Sequence, residues 1–278
     1  MLWDNHMHSN FSGDSDALPE EMIKSAKSKG LRGMTFTDHL DLDYPPEFGF
    51  FDLDLKNYYP TLHNLALKNN TEDFTILTGI EIGIQPHIAD ECLEIVNAYD
   101  FDFVIGSTHL VDKSDPYFDV FWENCDEDAK LRCYYESILK NIQVFTDFDS
   151  VGHLDYIFRY INNPSKKNDT YAPYAEIVDA ILSQIIKSDK ALEVNTAGLR
   201  KGLKYPNPCK DILCRYKELG GKLITIGADA HTPEDVASGF DYLPVFLKDC
   251  GFNEFAVYIK RKPNIYPIQE RVLLAKLQ

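Results

Sequence analysis

Short apolar, often β-branched runs alternate along this chain with longer stretches whose apolar positions recur at helical spacing. Residues 2–7 predict a strand, and because side chains alternate along a strand, His6 and His8 share one face. Residues 33–37 predict a second strand, closing on Asp38 and His39, and residues 74–80 a third, closing on Glu81. Residues 101–108 close on His109, 150–152 on His153, 191–194 on Asn195, and 222–228 on Asp229 and His231. Helices are expected over 18–26, 55–68, 88–99, 131–145, 172–187 and 208–219. Thr232-Pro233-Glu234-Asp235 reads as a further helix start, and residues 255–260 as a last apolar stretch before a C-terminal helix. Residues 40–54 and 111–128 read as long loops, the length expected of a lid or a substrate loop.

Seven strand–helix units in alternation favour an α/β fold with a parallel sheet. In a barrel the C-terminal ends of all strands meet at one mouth, whereas an open sheet spreads them along an edge. The recurrence of His, Glu and Asp at the strand ends therefore favours a (β/α)7 TIM-like barrel. Without a linker, low-complexity segment or internal repeat, one domain over residues 1–278 is expected.

The strand-end set is His6, His8, His39, Glu81, His109, His153, Asp229 and His231, six of the chain's eight histidines. His63 falls mid-helix and His87 in a Pro-flanked loop, so both stay outside it. A lone histidine after a strand is ordinarily a hydrogen-bonded rim residue. Six placed alike form an imidazole–carboxylate set that suits zinc, manganese or iron. Asp14, on the flexible Ser12-Gly13-Asp14-Ser15 tail, is a ninth candidate. One zinc takes at most four protein ligands, so two or three ions are expected. Asp38, Asp112 and Asp155 lie near candidate ligands and either orient imidazoles or cap loops.

Composition narrows the partners. The 278 residues are 44% hydrophobic and 26% charged, as in ordinary globular enzymes, and the net charge is -16. That acidity argues against nucleic acid, which needs a basic footprint, but not against a small phosphate ester. No apolar run is long enough for a membrane span. The six cysteines form no Cys-x-x-Cys pair, and no secretory signal is apparent, so reduced thiols in a cytoplasmic protein are expected.

In order along residues 4–231, His6-Met7-His8 with Asp14, Thr37-Asp38-His39, Gly79-Ile80-Glu81, Ser107-Thr108-His109, Gly152-His153-Leu154-Asp155, Glu193-Val194-Asn195-Thr196 and Gly227-Ala228-Asp229-Ala230-His231 resemble the polymerase-and-histidinol-phosphatase (PHP) family. The length, together with the stretches from Gly152 to Arg159 and from Asn195 to Arg200, resembles its histidinol-phosphate phosphatase branch. The resemblance implies a distorted seven-stranded barrel with three metal ions. It implies one ion on His6, His8, Glu81 and Asp229, and a second on Glu81, His109 and His153. The third would rest on Asp14, His39 and His231, with Asp16 close enough to compete for the Asp14 role. The implied activity is hydrolysis of L-histidinol phosphate, a step of histidine biosynthesis, by a water activated between two of the ions.

Such hydrolysis is so slow uncatalysed that the barrier must fall by ~20 kcal/mol or more. Arg159 and Arg200 are the expected phosphate ligands, each able to clasp two oxygens, with Asn195 as a further substrate contact. Asp14, Asp16 and Asp155 are the candidate acids for the leaving group. Asp41, Asp43, Tyr44, Tyr117 and Phe118 are expected around the cationic histidinol. A broader phosphoesterase acting on nucleotides or phosphotyrosine is the alternative, as is a non-catalytic metal-binding domain. Amidohydrolase chemistry is disfavoured by Glu81 standing where a carboxylated lysine would be expected. A monomer or small homo-oligomer is expected.

Overall fold

The computed structural model describes residues 3–124 and 126–268. Its strands are β1 (Trp3–Asp4), β2 (Gly33–Phe36), β3 (His39–Leu40), β4 (Thr75–Gly83), β5 (Phe103–Ser107), β6 (Ser150–Val151), β7 (Ala191–Asn195), β8 (Ile224–Gly227), β9 (Glu254–Ile259) and β10 (Lys262–Pro267). The helices are α1 (Pro19–Ser28), α2 (Leu55–Asn69), α3 (Ala89–Ala98), α4 (Asp119–Trp122), α5 (Glu127–Val144), α6 (Ala175–Lys187), α7 (Ala197–Arg200), α8 (Lys210–Glu218) and α9 (Leu243–Asp249).

β1 to β8 form a nearly closed barrel of seven parallel strands, because β2 and β3 are two pieces of one strand laid along β4. The register sets Gly33 against Thr75 and His39 against Glu81. β8 returns to β1 through the Asn5 N–H on the Ile226 carbonyl (3.1 Å), the Asp229 N–H on the His6 carbonyl (2.8 Å) and the His8 N–H on the Ala230 carbonyl (2.8 Å). All strands therefore point the same way, and their C-terminal ends share one mouth.

Local chemistry explains the helices around the barrel. α1 has Pro19 in its first turn, and the Glu21 carboxylate accepts the Leu18 N–H. Asp126 caps α5 by accepting the Asp128 N–H at 3.0 Å. Val178, Ile181, Leu182 and Ile185 of α6 are buried at a helical repeat.

Three expectations need correcting. Glu81 lies inside β4, which runs on to Gly83, rather than just after a strand. No helix begins at Thr232: residues 232–242 form turns and α9 starts at Leu243. Here the Ala237 N–H goes to Asp4 Oδ2 at 2.8 Å, and Ala237 and Gly239 have φ of 52° and 77°, which break a helix. Past residue 260 the chain turns through Lys260 and Arg261 into β10 instead of entering a helix, and the remainder of the expected C-terminal helix lies outside the described residues. The β9–β10 hairpin packs Tyr258 on Phe103 and Tyr266 on Trp3, at ring separations of 5.3 and 5.8 Å. Phe103 and Trp3 begin their strands, so the hairpin sits at the end opposite the histidines.

Among the described residues no helix is long and apolar enough to cross a membrane. The five described cysteines are free.

Candidate active site

Five of the six strand-end histidines, His6, His8, His39, His109 and His153, converge on Glu81, which is fully buried, and His231 joins them through Asp14 and Asp229. Its Oε2 lies 3.0 Å from His6 Nε2 and 3.1 Å from His39 Nδ1; its Oε1 lies 3.0 Å from His153 Nε2 and 3.3 Å from His109 Nε2. Asp229 Oδ1 is 3.4 Å from His8 Nε2 and 3.8 Å from His6 Nε2. Asp14 Oδ2 is 3.0 Å from His231 Nε2 and 3.6 Å from His39 Nε2. All nine candidate ligands thus meet at one place. Asp16 is exposed and does not line the cavity there, which leaves Asp14 as the carboxylate of the tail.

The far sides of the rings are fixed by groups the sequence reading left without a role or placed elsewhere. Glu193 Oε1 lies 2.6 Å from His6 Nδ1, and Glu193 Oε2 accepts the His153 N–H at 2.8 Å. Asp41 Oδ1 lies 2.7 Å from His109 Nδ1, so this cavity-lining residue orients an imidazole. Ser12 Oγ lies 3.1 Å from His8 Nδ1 and donates to Asp38 at 3.1 Å, so Asp38 reaches an imidazole only through Ser12. The Asp229 carbonyl lies 3.0 Å from His231 Nδ1. In each case Nε2 is left facing inward, the carboxylate–histidine arrangement that sets ligand tautomers. Asp112 instead contacts the Cys133 thiol, and Asp43 pairs with His87 and Lys113 at the surface.

Two features fit this donor set to cations. His6 Nε2 and His8 Nε2 face each other at 3.1 Å, and buried His39 Nδ1, though 3.1 Å from Glu81 Oε2, forms no aligned hydrogen bond with it. Four groups of three donors, among them His6–His8–Glu81 and Glu81–His109–His153, have ligand atoms within 4.8 Å of one another. The electrostatics agree. Burial by itself would raise the Glu81 carboxyl, but His6, His39 and His109 hold it well below the usual carboxylate range. Burial likewise opposes, and His6, His8 and Arg159 override, for Asp229. Burial and the neighbouring His231 and His39 push His8 down, which keeps its imidazole neutral and able to coordinate. Against burial, Asp14 and Asp229 raise His231 to about 9, so without a cation it carries the balancing proton.

Arg159 is 6% exposed and lines a cavity of about 370 Å³ together with His39, His109, His153 and Asp229. It donates from Nε to Asn207 Oδ1 (2.8 Å), from one terminal nitrogen to Asp229 Oδ2 (3.1 Å) and from the other to Asn195 Oδ1 (3.0 Å). Asn195 is fully buried and does not line the cavity, so it positions Arg159 instead of touching a substrate. Asn207, given no role by the sequence, is brought there by paired backbone hydrogen bonds with Asn195 of 2.7 and 2.8 Å. Asp155 accepts from Asn207 Nδ2 (2.5 Å) and the Cys209 N–H (2.9 Å). Burial pushes the Asp155 carboxyl up to about 6 against those bonds, yet it does not line the cavity, and the geometry removes it as the acid.

Arg200 lines the cavity, donates to the Ala228 and Asp229 carbonyls (2.8 and 3.0 Å) and pairs with Asp235 at 3.1 Å. It thereby secures the β8 exit, where Asp229 has a φ of 54°. Such left-handed strain in a non-glycine residue is found at functional sites held by their surroundings. Tyr117 and Phe118 line the cavity wall with Tyr44.

A family model described as the PHP domain matches residues 4–197. The probable histidinol-phosphatase of Clostridium acetobutylicum is 31% identical over 250 residues, covering 90% of this chain and 94% of that protein. The histidinol-phosphatase of Lactococcus lactis is 32% identical over 257 residues, covering 92% of this chain and 93% of that one. The crystal structure of the Lactococcus lactis histidinol phosphate phosphatase complexed with zinc, L-histidinol and phosphate matches with a TM-score of 0.86 at 31% identity, over 94% of this chain and 98% of that chain. The chain belongs to the PHP domain family.

Proposed function

We propose that this protein hydrolyses L-histidinol phosphate to L-histidinol and phosphate in a metal-dependent reaction. One observation carries the reading: nine imidazole and carboxylate donors meet beside buried Arg159 at one cavity, in a chain related along nine-tenths of its length to histidinol-phosphatases. His6, His8, Glu81 and Asp229 would hold one divalent ion, Glu81 with His109 and His153 a second, and Asp14, His39 and His231 a third. Zinc suits these donors and is the ion bound by the Lactococcus lactis relative; manganese and iron suit them also. Bound there, such ions supply Lewis acidity toward phosphoryl oxygens and make water nucleophilic near neutral pH.

The chain's own groups do the rest. Arg159 is held at its terminal nitrogens by Asp229 and Asn195, and it meets the phosphoryl dianion without having to reorganise, the condition for strong electrostatic stabilisation. Glu193, Asp41 and Ser12 keep the His6, His109 and His8 rings turned inward. Tyr44, Tyr117 and Phe118 line the cavity wall where they would flank the leaving alcohol.

The test is phosphate release from a panel of monoesters by the metal-loaded protein. L-histidinol phosphate should give the highest kcat/KM, ahead of p-nitrophenyl phosphate, nucleotides and phosphotyrosine. A nucleotide or phosphotyrosine used far more efficiently would replace this reading with that of a broader phosphoesterase.

A further inference from the structure

Asp4 ends β1, two residues before His6, and is fully buried. Its partners are all backbone amides. Oδ1 accepts the Ala228 N–H at 2.9 Å and the His6 N–H at 3.3 Å; Oδ2 accepts the Ala237 N–H at 2.8 Å. Among the described residues it forms no ion pair. A carboxylate buried without a counter-charge is costly. Closing the barrel does not call for one, because β1 and β8 already meet through backbone hydrogen bonds, from Asn5 to Ile226 and from Asp229 to His6.

The amides it takes show what the charge is for. One belongs to His6 and another to Ala228, the residue before Asp229, and His6 Nε2 lies 3.8 Å from Asp229 Oδ1. Asp229 keeps a left-handed φ of 54°, which a non-glycine residue holds only when its surroundings enforce it. The third amide, of Ala237, fastens the turn that leads away from His231. The carbonyls of that turn are gripped from the other side: the Lys29 ammonium donates to Pro233, Glu234 and Val236 at 3.3, 2.6 and 2.7 Å. An anion on the amide side and a cation on the carbonyl side thus satisfy backbone groups that no helix or strand pairs here. Amides on both oxygens need two acceptors, which a carboxylate has and a carboxamide lacks.

We propose that Asp4 is a positioning residue for the metal centre: with Lys29 clamping the far side of the same turn, its carboxylate holds His6 and Asp229 at the separation at which they share one ion. The inference rests on the metal-dependent reading above. Asp4 itself touches neither ion nor substrate; it acts through the backbone of the residues that do.

The experiment compares the parent with Asp4→Asn, nearly isosteric but with one acceptor oxygen, and with Lys29→Met, which removes only the carbonyl-side clamp. Three quantities are read: zinc affinity of the metal-free protein by competition with a chelator, the melting temperature of the metal-free form, and kcat/KM for L-histidinol phosphate as zinc is raised. Losing one charge-assisted hydrogen bond behind two ligands predicts zinc binding weaker by roughly tenfold to a hundredfold in Asp4→Asn. Its kcat/KM should climb back toward the parent value at high zinc, a recovery that a merely structural defect would not give. Lys29→Met should show a smaller loss of zinc affinity in the same direction, and it decides alone if Asp4→Asn does not fold. Zinc affinity within about twofold of the parent in the deciding variant, whatever happens to the melting temperature, overturns the inference and leaves Asp4 a structural tie. Zinc binding that depends on Asp4 in a protein that does not hydrolyse L-histidinol phosphate would leave the inference standing and refute the proposed reaction instead.

Discussion

Replacing Glu193 by Gln probes the least conspicuous part of the site. One oxygen of Glu193 meets His6 Nδ1 at 2.6 Å; the other accepts from the His153 N–H at 2.8 Å and from Asn195 Nδ2 at 3.2 Å. A carboxylate can accept on both sides, but an amide has one oxygen. If that oxygen keeps the two donors, the amide NH₂ turns on His6 Nδ1 and drives the ring toward the tautomer with its proton on Nε2, the nitrogen that faces Glu81 and His8. If the oxygen turns to His6 instead, the His153 backbone loses its acceptor. Either way one charge-assisted hydrogen bond is lost, about 1.5–3 kcal/mol, or ten- to a hundredfold. This matches the cost of removing groups that orient metal-bound histidines, roughly 10–100-fold in affinity or activity. The assay is a metal titration of the metal-free protein followed by kcat/KM with L-histidinol phosphate. Glu193→Gln should need more metal for half-maximal activity and should retain its fold. Unchanged metal affinity and unchanged kcat/KM would refute the role given to Glu193.

Four further outcomes are expected. Arg159→Lys removes the fork that meets Asp229 and Asn195, so kcat/KM should fall by about two orders of magnitude, while Asn207→Ala should give a smaller loss in the same direction; steady-state kinetics on both variants decides. Chelation should abolish activity and lower the melting temperature, with both restored by zinc. The metal concentration needed should rise as the pH falls, because the ion must displace protons such as the one raised to about 9 on His231.

Some of this was readable from residues alone because it depends on local periodicity. Alternation placed His6 and His8 on one face, and their Nε2 atoms do meet at 3.1 Å although the regular strand covers only Trp3–Asp4. The recurrence of donors at strand ends pointed to a barrel mouth. What the sequence hid depends on long-range pairing. Asn207 reaches Arg159 only because its backbone pairs with Asn195, and nothing near residue 207 signals that. Glu193 did leave a sign, a charge in the middle of the fully buried strand Ala191–Asn195, where a lone carboxylate must have a partner. Asp41 was expected around the cationic alcohol, because its imidazole partner lies 68 residues away and leaves no local sign. The stretch after Thr232 carries good helix-start residues, but Asp4 takes its amide and the chain stays a turn. Lys262–Pro267, with two prolines, does not read as a strand, and prolines are tolerated there because the hairpin strand has a partner on one side only.

Donors from the first to the last barrel strand should bind several cations in one cup. Anomalous diffraction at the zinc edge from crystals of the zinc-loaded protein tests it most directly. Peaks are expected between His6, His8 and Asp229, between His109 and His153 beside Glu81, and between Asp14, His39 and His231. Zinc bound elsewhere, with no anomalous density at the Glu81 carboxylate, would contradict the account.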